Sequence, residues 1–400
     1  MNFRRSLVAL AALAALAGCN KDKDVEPPAE LVDIEATLAV QKIWSEGIGG
    51  GGEKLRLTLG VAGEGETVYA ASRDGEVLAL DAASGRTQWK TKTGFDLSSG
   101  PGIGLGLVVV GSSDGDVVAL DSASGKQRWK VRVPGELLSP ALVDRDQVVL
   151  RTAEGRLVAL SSVDGKQRWA VEDLVPRLSL RGTATPVAAG EAVISGFDSG
   201  KVMSVTRDTG EVIWQVQVST ARGRTELERL ADVDSAVRVS GSDVYAVGYQ
   251  GRVAMLALDS GQIWWARDVS SYRGLAIDDD QLYVSSSNGE VVALRRRDGG
   301  VVWTQSGLKQ RGLSTPAIAG QAVVVGDFEG YLHFLDRSTG KFVAREHPGG
   351  ARIAAPPLVM GDRVFVVDEG GKVVGSICVA RDLRDKKLME SQLLPPLMVL

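Results

Sequence analysis

A glycine and a tryptophan fourteen residues apart recur along this chain at intervals of about forty residues: Gly75/Trp89, Gly115/Trp129, Gly155/Trp169, Gly200/Trp214, Gly251/Trp265 and Gly289/Trp303. Gly330 opens a seventh copy with Ala344 at the tryptophan position, and Gly371 opens an eighth that reaches no tryptophan. Trp44 stands ahead of the first copy as an orphan. A repeat split between the two ends of a chain marks a circular array cut inside one unit. An open solenoid would instead need a capping repeat at each end.

Each copy reads as two strands joined by a tight turn. In the segment Gly75-Glu-Val-Leu-Ala-Leu-Asp81-Ala-Ala-Ser-Gly85-Arg-Thr-Gln-Trp89, period-two alternation puts Val77 and Ala79 on one side of a strand. The Asp-x-x-Ser-Gly that follows is turn chemistry: the aspartate bonds to nearby backbone and the glycine supplies a left-handed residue. Pro101, Pro140, Pro186, Pro316 and Pro357 stand fourteen or fifteen residues ahead of their repeat glycines, each before a small-apolar run such as Ala322–Gly326. Four short strands in roughly 40–50 residues, repeated, predict a β-propeller blade. Glycine at 48 of 400 residues fits an all-β, turn-dense chain. The expected fold is therefore an eight-bladed β-propeller of four-stranded antiparallel blades over residues 38–380, its last blade completed by the N-terminal strand around Trp44. A once-per-blade tryptophan is expected to fill the wedge between blades. Trp264 is additional and is expected to face solvent or a partner.

The ends read differently. Residues 1–18 carry Arg4 and Arg5 and then an apolar run too short to span a membrane, the pattern of a signal peptide. The run ends Leu16-Ala17-Gly18-Cys19, which resembles the bacterial lipobox, whose cysteine is lipidated. By that resemblance Cys19 is the lipidation site, and Asn20 after it favours the outer membrane. Residues 19–37 then read as a polar, proline-bearing tether. Cys378 is the other cysteine, so no disulfide is available once Cys19 is lipidated, and stability must come from the repeat core. Residues 381–400 fit no repeat and read as a short helix over 382–393, a disordered tail or a frameshifted terminus.

Little in the chain points to catalysis. His333 and His347 lack metal-ligand spacing, and Gly47–Gly52 lacks the lysine and hydroxyl order of a phosphate loop. The G-x-S-x-G at Gly111-Ser-Ser113-Asp-Gly115 sits where a blade turn is expected, not on the strand-to-helix turn a nucleophile elbow requires. A formal charge of −4 gives no support for nucleic-acid binding. The expectation is no catalytic residue, no metal and no cofactor. The form Ala-x-Asp-x-x-Ser/Thr-Gly-x-x-x-Trp is similar to the tryptophan-docking motif of quinoprotein dehydrogenases, which hold pyrroloquinoline quinone over the propeller axis. Those enzymes use a calcium site and often a vicinal Cys-Cys disulfide, which this chain lacks. The motif residues build blades, so the resemblance reaches fold and not activity.

The glycine spacings run 40, 40, 45, 51, 38, 41 and 41. The long ones contain Leu178-Ser-Leu180-Arg181 and Glu228-Arg-Leu-Ala-Asp232-Val-Asp234. Insertions in a repeat array map to loops on one face, often the binding face. An apolar anchor ringed by charge suits a protein partner. It equally suits an internal arrangement in which the leucines face the core and Arg181 pairs with Asp232 or Asp234.

LSLRG at Leu178–Gly182, ERLADVD at Glu228–Asp234, SGQIWW at Ser260–Trp265, VVWTQS at Val301–Ser306 and VVGDFEGYLHFLD at Val324–Asp336 together resemble the BamB family. These are lipoproteins of the outer-membrane β-barrel assembly machinery, built on PQQ-like repeats, and the resemblance runs from the lipobox to about Val374. It implies an eight-bladed propeller at the periplasmic face of the outer membrane, docked on the POTRA region of BamA. By match of motif it assigns that contact to Leu178, Leu180, Arg181, Asp232 and Asp234. The implied role is a non-catalytic scaffold, with hand-over of unfolded barrel precursors as an extension for which strand addition at a blade edge is a physical route. The alternatives are a quinoprotein-like dehydrogenase and a propeller binding some other periplasmic protein.

Overall fold

A computed structural model of the chain describes residues 26–51, 57, 59–176, 178–180, 184–220, 224–225 and 231–380, the last five as strand backbone. The signal segment, Cys19, Arg181 and the tail at 381–400 lie outside the described residues. All the regular structure described is strand. It forms eight separate four-stranded antiparallel sheets, seven of them with their strands in consecutive order. Blade one is Val61–Glu64, Thr67–Ala71, Glu76–Asp81 and Thr87–Lys92. Six further blades follow at 102–132, 142–172, 187–217, 238–267, 275–305 and 317–346. The eighth consists of Leu358–Met360, Arg363–Val367 and Lys372–Ala380, with Ala39–Gly47 as its outermost strand. The fold is an eight-bladed β-propeller, closed as its split repeat predicts.

The core lies between blades. Tyr69, Ala71, Val77 and Ala79 of blade one pack on Val108, Val110, Val118 and Leu120 of blade two. Val158 and Leu160 of blade three meet Val109, Val117 and Ala119 of blade two in the same way. Both faces of a blade are therefore covered by neighbours, which is why the middle strands read as near-continuous apolar runs.

The repeat tryptophans staple each blade to the next. Trp89 donates its indole N–H to the Ser122 carbonyl at 2.8 Å. Its ring lies over Gly125, in the hairpin of the following blade, where a Cβ would come within 2.5 Å of Cε3. Gly125 has φ +68°, so the turn and the close approach both call for glycine. The same pairing joins Trp44 to Gly85, Trp129 to Gly165, Trp169 to Gly210, Trp214 to Gly261, Trp265 to Gly299 and Trp303 to Gly340. Each of these indoles also donates to a carbonyl of the receiving turn.

Ala344 now has a physical reason. A tryptophan there would need a receiving hairpin in blade eight. That blade has none, because its last two strands, Lys372–Ala380 and Ala39–Gly47, come from opposite ends of the chain. Leu38 and Val40 pack into the cluster containing Ala344 instead, and the amides of Thr37 and Leu38 donate to the Val343 carbonyl. The tryptophan and its receiving turn are absent together. Gly375, where the sequence leaves the repeat pattern, sits opposite Trp44, whose ring takes the space of the missing Cβ.

The polar stretch read as a tether is, from Ala29 onward, held against blades six and seven. Ala29 donates to the Lys309 carbonyl and accepts from Arg311 Nη1, while Arg345 Nη1 donates to the Val32 carbonyl. Leu31 packs beside Ile318 and Phe342.

Candidate functional site

Two connections carry the sequence's candidate residues. One links Gln167–Glu172 of blade three to Val187–Ala189 of blade four; the other links Val212–Gln217 of blade four to Arg238–Ser240 of blade five. Both run from the outermost strand of one blade to the innermost strand of the next, so they emerge on the same face. Leu178 stands 44% exposed there, and Leu180 is half-buried.

Asp232 is buried, and its carboxylate turns inward: Oδ2 accepts the backbone N–H of Leu180 at 2.6 Å. It therefore pins the leucine loop from beneath. Its own backbone carbonyl accepts from the Tyr249 amide, tying the segment to blade five. Burial pushes the Asp232 carboxyl up to about 6, against the pull of the Leu180 amide, with the charge of Asp198 adding to the rise. Asp234 is pushed well up, first by burial and then by Asp198 and Asp232. Asp198 is also raised by burial, and Arg151 opposes the rise. One buried guanidinium, Arg151, thus opposes the rise at both Asp198 and Asp234.

Sequence reasoning missed that guanidinium. Arg151 and Asp198 are both buried and pair at 3.2 Å. Arg151 also stacks over Phe197 at 4.4 Å and donates to the Thr152 carbonyl. The available signal was an arginine closing the apolar run Val148-Val149-Leu150, where the preceding blades have Ala71 and Gly111. A charge in such a strand must be paired or it would not be buried. The structure brings Leu178, Leu180, Asp232 and Asp234 into one neighbourhood.

The catalytic look-alikes have structural occupations. Ser112 and Ser113 lie in a strand-to-strand turn, and buried Ser112 accepts the amides of Asp114 and Asp116. His333 is fully buried, with Nε2 at 3.0 Å from Asp327 Oδ2 and Nδ1 accepting from Arg345 Nε. Asp327 in turn binds Arg311. This network braces blade seven and, through Arg311 and Arg345, holds the N-terminal segment. Among the described residues no group of three His, Cys, Asp or Glu side chains is disposed to hold a metal ion.

The family model described as "Outer membrane protein assembly factor BamB" matches residues 39–95, 73–305 and 289–379. The chain belongs to the BamB family. A BamB relative from Pseudomonas aeruginosa is 50% identical over 368 residues, 92% of this chain and 97% of its own length. The crystal structure of BamB from Moraxella catarrhalis superposes with a TM-score of 0.77 at 29% identity, over 84% of this chain and 98% of that one. A quinohemoprotein alcohol dehydrogenase from Comamonas testosteroni reaches a TM-score of 0.67 at 13% identity, over 85% of this chain and 76% of that one. That second likeness is one of fold alone. BamB membership and the propeller thus come from separate observations that agree.

Proposed function

We propose that this chain is a non-catalytic scaffold in outer-membrane protein assembly, anchored through a lipid on Cys19 at the periplasmic face of the outer membrane. It docks on the POTRA region of BamA through the face carrying Leu178 and Leu180. One observation carries this reading: an exposed leucine and a half-buried one sit on a loop pinned at the Leu180 amide by a buried carboxylate. A fixed apolar anchor loses little conformational freedom on binding. In this reading Leu178 and Leu180 make the contact, while Asp232 acts by positioning the loop and Asp234 lies in the acidic floor below. Arg181, outside the described residues, is the charged partner that the motif implies. Membership of a family named for outer-membrane protein assembly supports the role, and the occupations of Ser112 and His333 favour a scaffold over a hydrolase. Delivery of unfolded barrel precursors extends the same reading.

The test is capture of the full chain by the purified periplasmic region of BamA. Leu178→Asp and Leu180→Asp each weaken capture at least tenfold, while thermal melting still shows a folded propeller. Undiminished capture by both variants removes the assignment of this face.

A further inference from the structure

The eight blades leave a cavity of about 610 Å³ on the propeller axis. Its wall is drawn mainly from residues just ahead of the innermost strands of seven blades, so it lies on the side of the candidate docking loops, and Leu180 reaches it.

The charge in this cavity is unbalanced. Arg238, Arg273 and Arg352 all line it, and the acids on its described wall are Asp234 and Glu369. Glu369 pairs with Arg352, its Oε1 3.8 Å from Nε, and so compensates one of the three guanidinium charges. Asp234 is held toward its neutral form by burial and by Asp198 and Asp232. Arg238 has no ion-pair partner among the described residues, and burial alone disfavours its charge. Arg273 stacks on Tyr272 at 5.0 Å; burial and then the nearby charge of Arg352 disfavour its own charge, while Tyr272 and Glu369 partly offset them. The Nε donors of Arg273 and Arg352 are buried without a protein acceptor. Buried donors ordinarily find acceptors, and guanidinium groups match the paired oxygens of carboxylates and phosphates. A low-dielectric cleft of one sign also concentrates counter-ions. Beside the arginines, Tyr249 and Tyr272 meet edge to face at 6.0 Å and offer a flat apolar wall.

We propose that the axial cavity binds a small organic polyanion, its carboxylate or phosphate oxygens on Arg238, Arg273 and Arg352 and its carbon body against Tyr249 and Tyr272. The volume falls within the usual range for small-molecule sites. The assignment is independent of the docking reading.

Isothermal titration of the full chain with citrate, and separately with inorganic phosphate, at constant ionic strength tests it. At least one probe is expected to bind saturably at one site per chain; which one binds more tightly distinguishes a carboxylate ligand from a phosphate one. Arg238→Gln and Arg273→Gln each weaken binding at least tenfold. Arg238→Lys keeps the charge but not the paired donors, and weakens it less. Arg297→Gln, on an exposed outer turn, leaves it unchanged. Melting curves identify any variant that fails to fold, and the Arg238→Lys comparison then stands in its place. Absence of saturable binding by both probes overturns the proposal. So does equal loss in Arg297→Gln, or undiminished binding in folded Arg238→Gln and Arg273→Gln.

Discussion

The amide of Leu180 and the carboxylate of Asp232, fifty-two residues apart in the chain, meet at 2.6 Å. The exposed leucine loop of blade three's exit is thereby fixed to the segment entering blade five. Asp232→Ala removes the acceptor and leaves a buried donor, a local cost of about 1–3 kcal/mol. Amide exchange at Leu180 is expected to accelerate roughly tenfold or more, since each 1.4 kcal/mol is tenfold. Asp232→Asn keeps an oxygen acceptor and preserves protection. Equal exchange rates in wild type and Asp232→Ala would show that the bond does not hold the loop.

The same carboxyl gives a pH signature. Its folded pKa, about 6, lies above its ordinary 3.8, so its contribution to stability is full below 3.8 and is lost as pH rises through 6. Asp232→Asn has no such loss. Its melting temperature relative to wild type is therefore expected to be higher at pH 7.5 than at pH 4, the advantage closing as the pH falls. A difference independent of pH contradicts this.

His333 works in the opposite direction. Burial lowers its pKa below the ordinary 6.5, while Asp327 pulls it back upward. Its contribution is present above 6.5 and lost as pH falls through the lowered folded value. His333→Gln is expected to flatten the acid side of the stability profile below pH 6.5. Hydrogen exchange around Ala29 and Val32 follows the same trend, because Arg311 and Arg345 link the histidine network to that segment. An acid limb unchanged by the substitution would exclude His333 as its source.

The inter-blade staples give a graded stability series. Trp89→Ala removes a packed indole and its hydrogen bond, at a cost of about 3–5 kcal/mol. Gly125→Ala forces a Cβ into that indole at positive φ and is expected to cost more than about 1 kcal/mol. Trp264→Ala removes a side chain that is 57% exposed and stays within about 0.5 kcal/mol of wild type. Denaturant melts rank the three; a cost for Trp264→Ala matching that of Trp89→Ala breaks the series.

Restoring the repeat consensus at position 344 is expected to do harm. Ala344 is buried beside Leu38 and Val40, with no hairpin glycine to receive an indole. Ala344→Trp overpacks that site by about 1–3 kcal/mol. A stabilised variant in the same denaturant melt would mean that blade eight can receive a tryptophan after all.

The architecture was legible because six blades repeat the glycine–tryptophan spacing and its turn, while the orphan Trp44 marks the split eighth. What spacing could not disclose was the partner. Gly75 and Trp89 are the pair that recurs in phase, yet Trp89 touches Gly125 of the next blade, since stapling acts between repeats and not within one. The absence of a tryptophan at Ala344 became intelligible only with the topology of blade eight. Leu178 and Leu180 were visible as residues of an insertion. The inward turn of Asp232 was not, because an aspartate in a loop ordinarily faces water. The axial arginines were hidden differently: Arg238, Arg273 and Arg352 are far apart in sequence, and only closure of the ring brings them together.

Closure of the ring also orders events in time. Blades one to seven pair strands that are close in sequence, so each can begin to form as soon as its own residues are available. Ala39–Gly47 must wait for Lys372–Ala380, more than three hundred residues later. Long-range pairing of this kind is slow, because the intervening chain must first be brought into a loop. Until then the outer edge of Lys372–Ala380 stays unpaired and open to other strands. The propeller is therefore most vulnerable to mispairing just before its last strand arrives, and most resistant once the two ends have met.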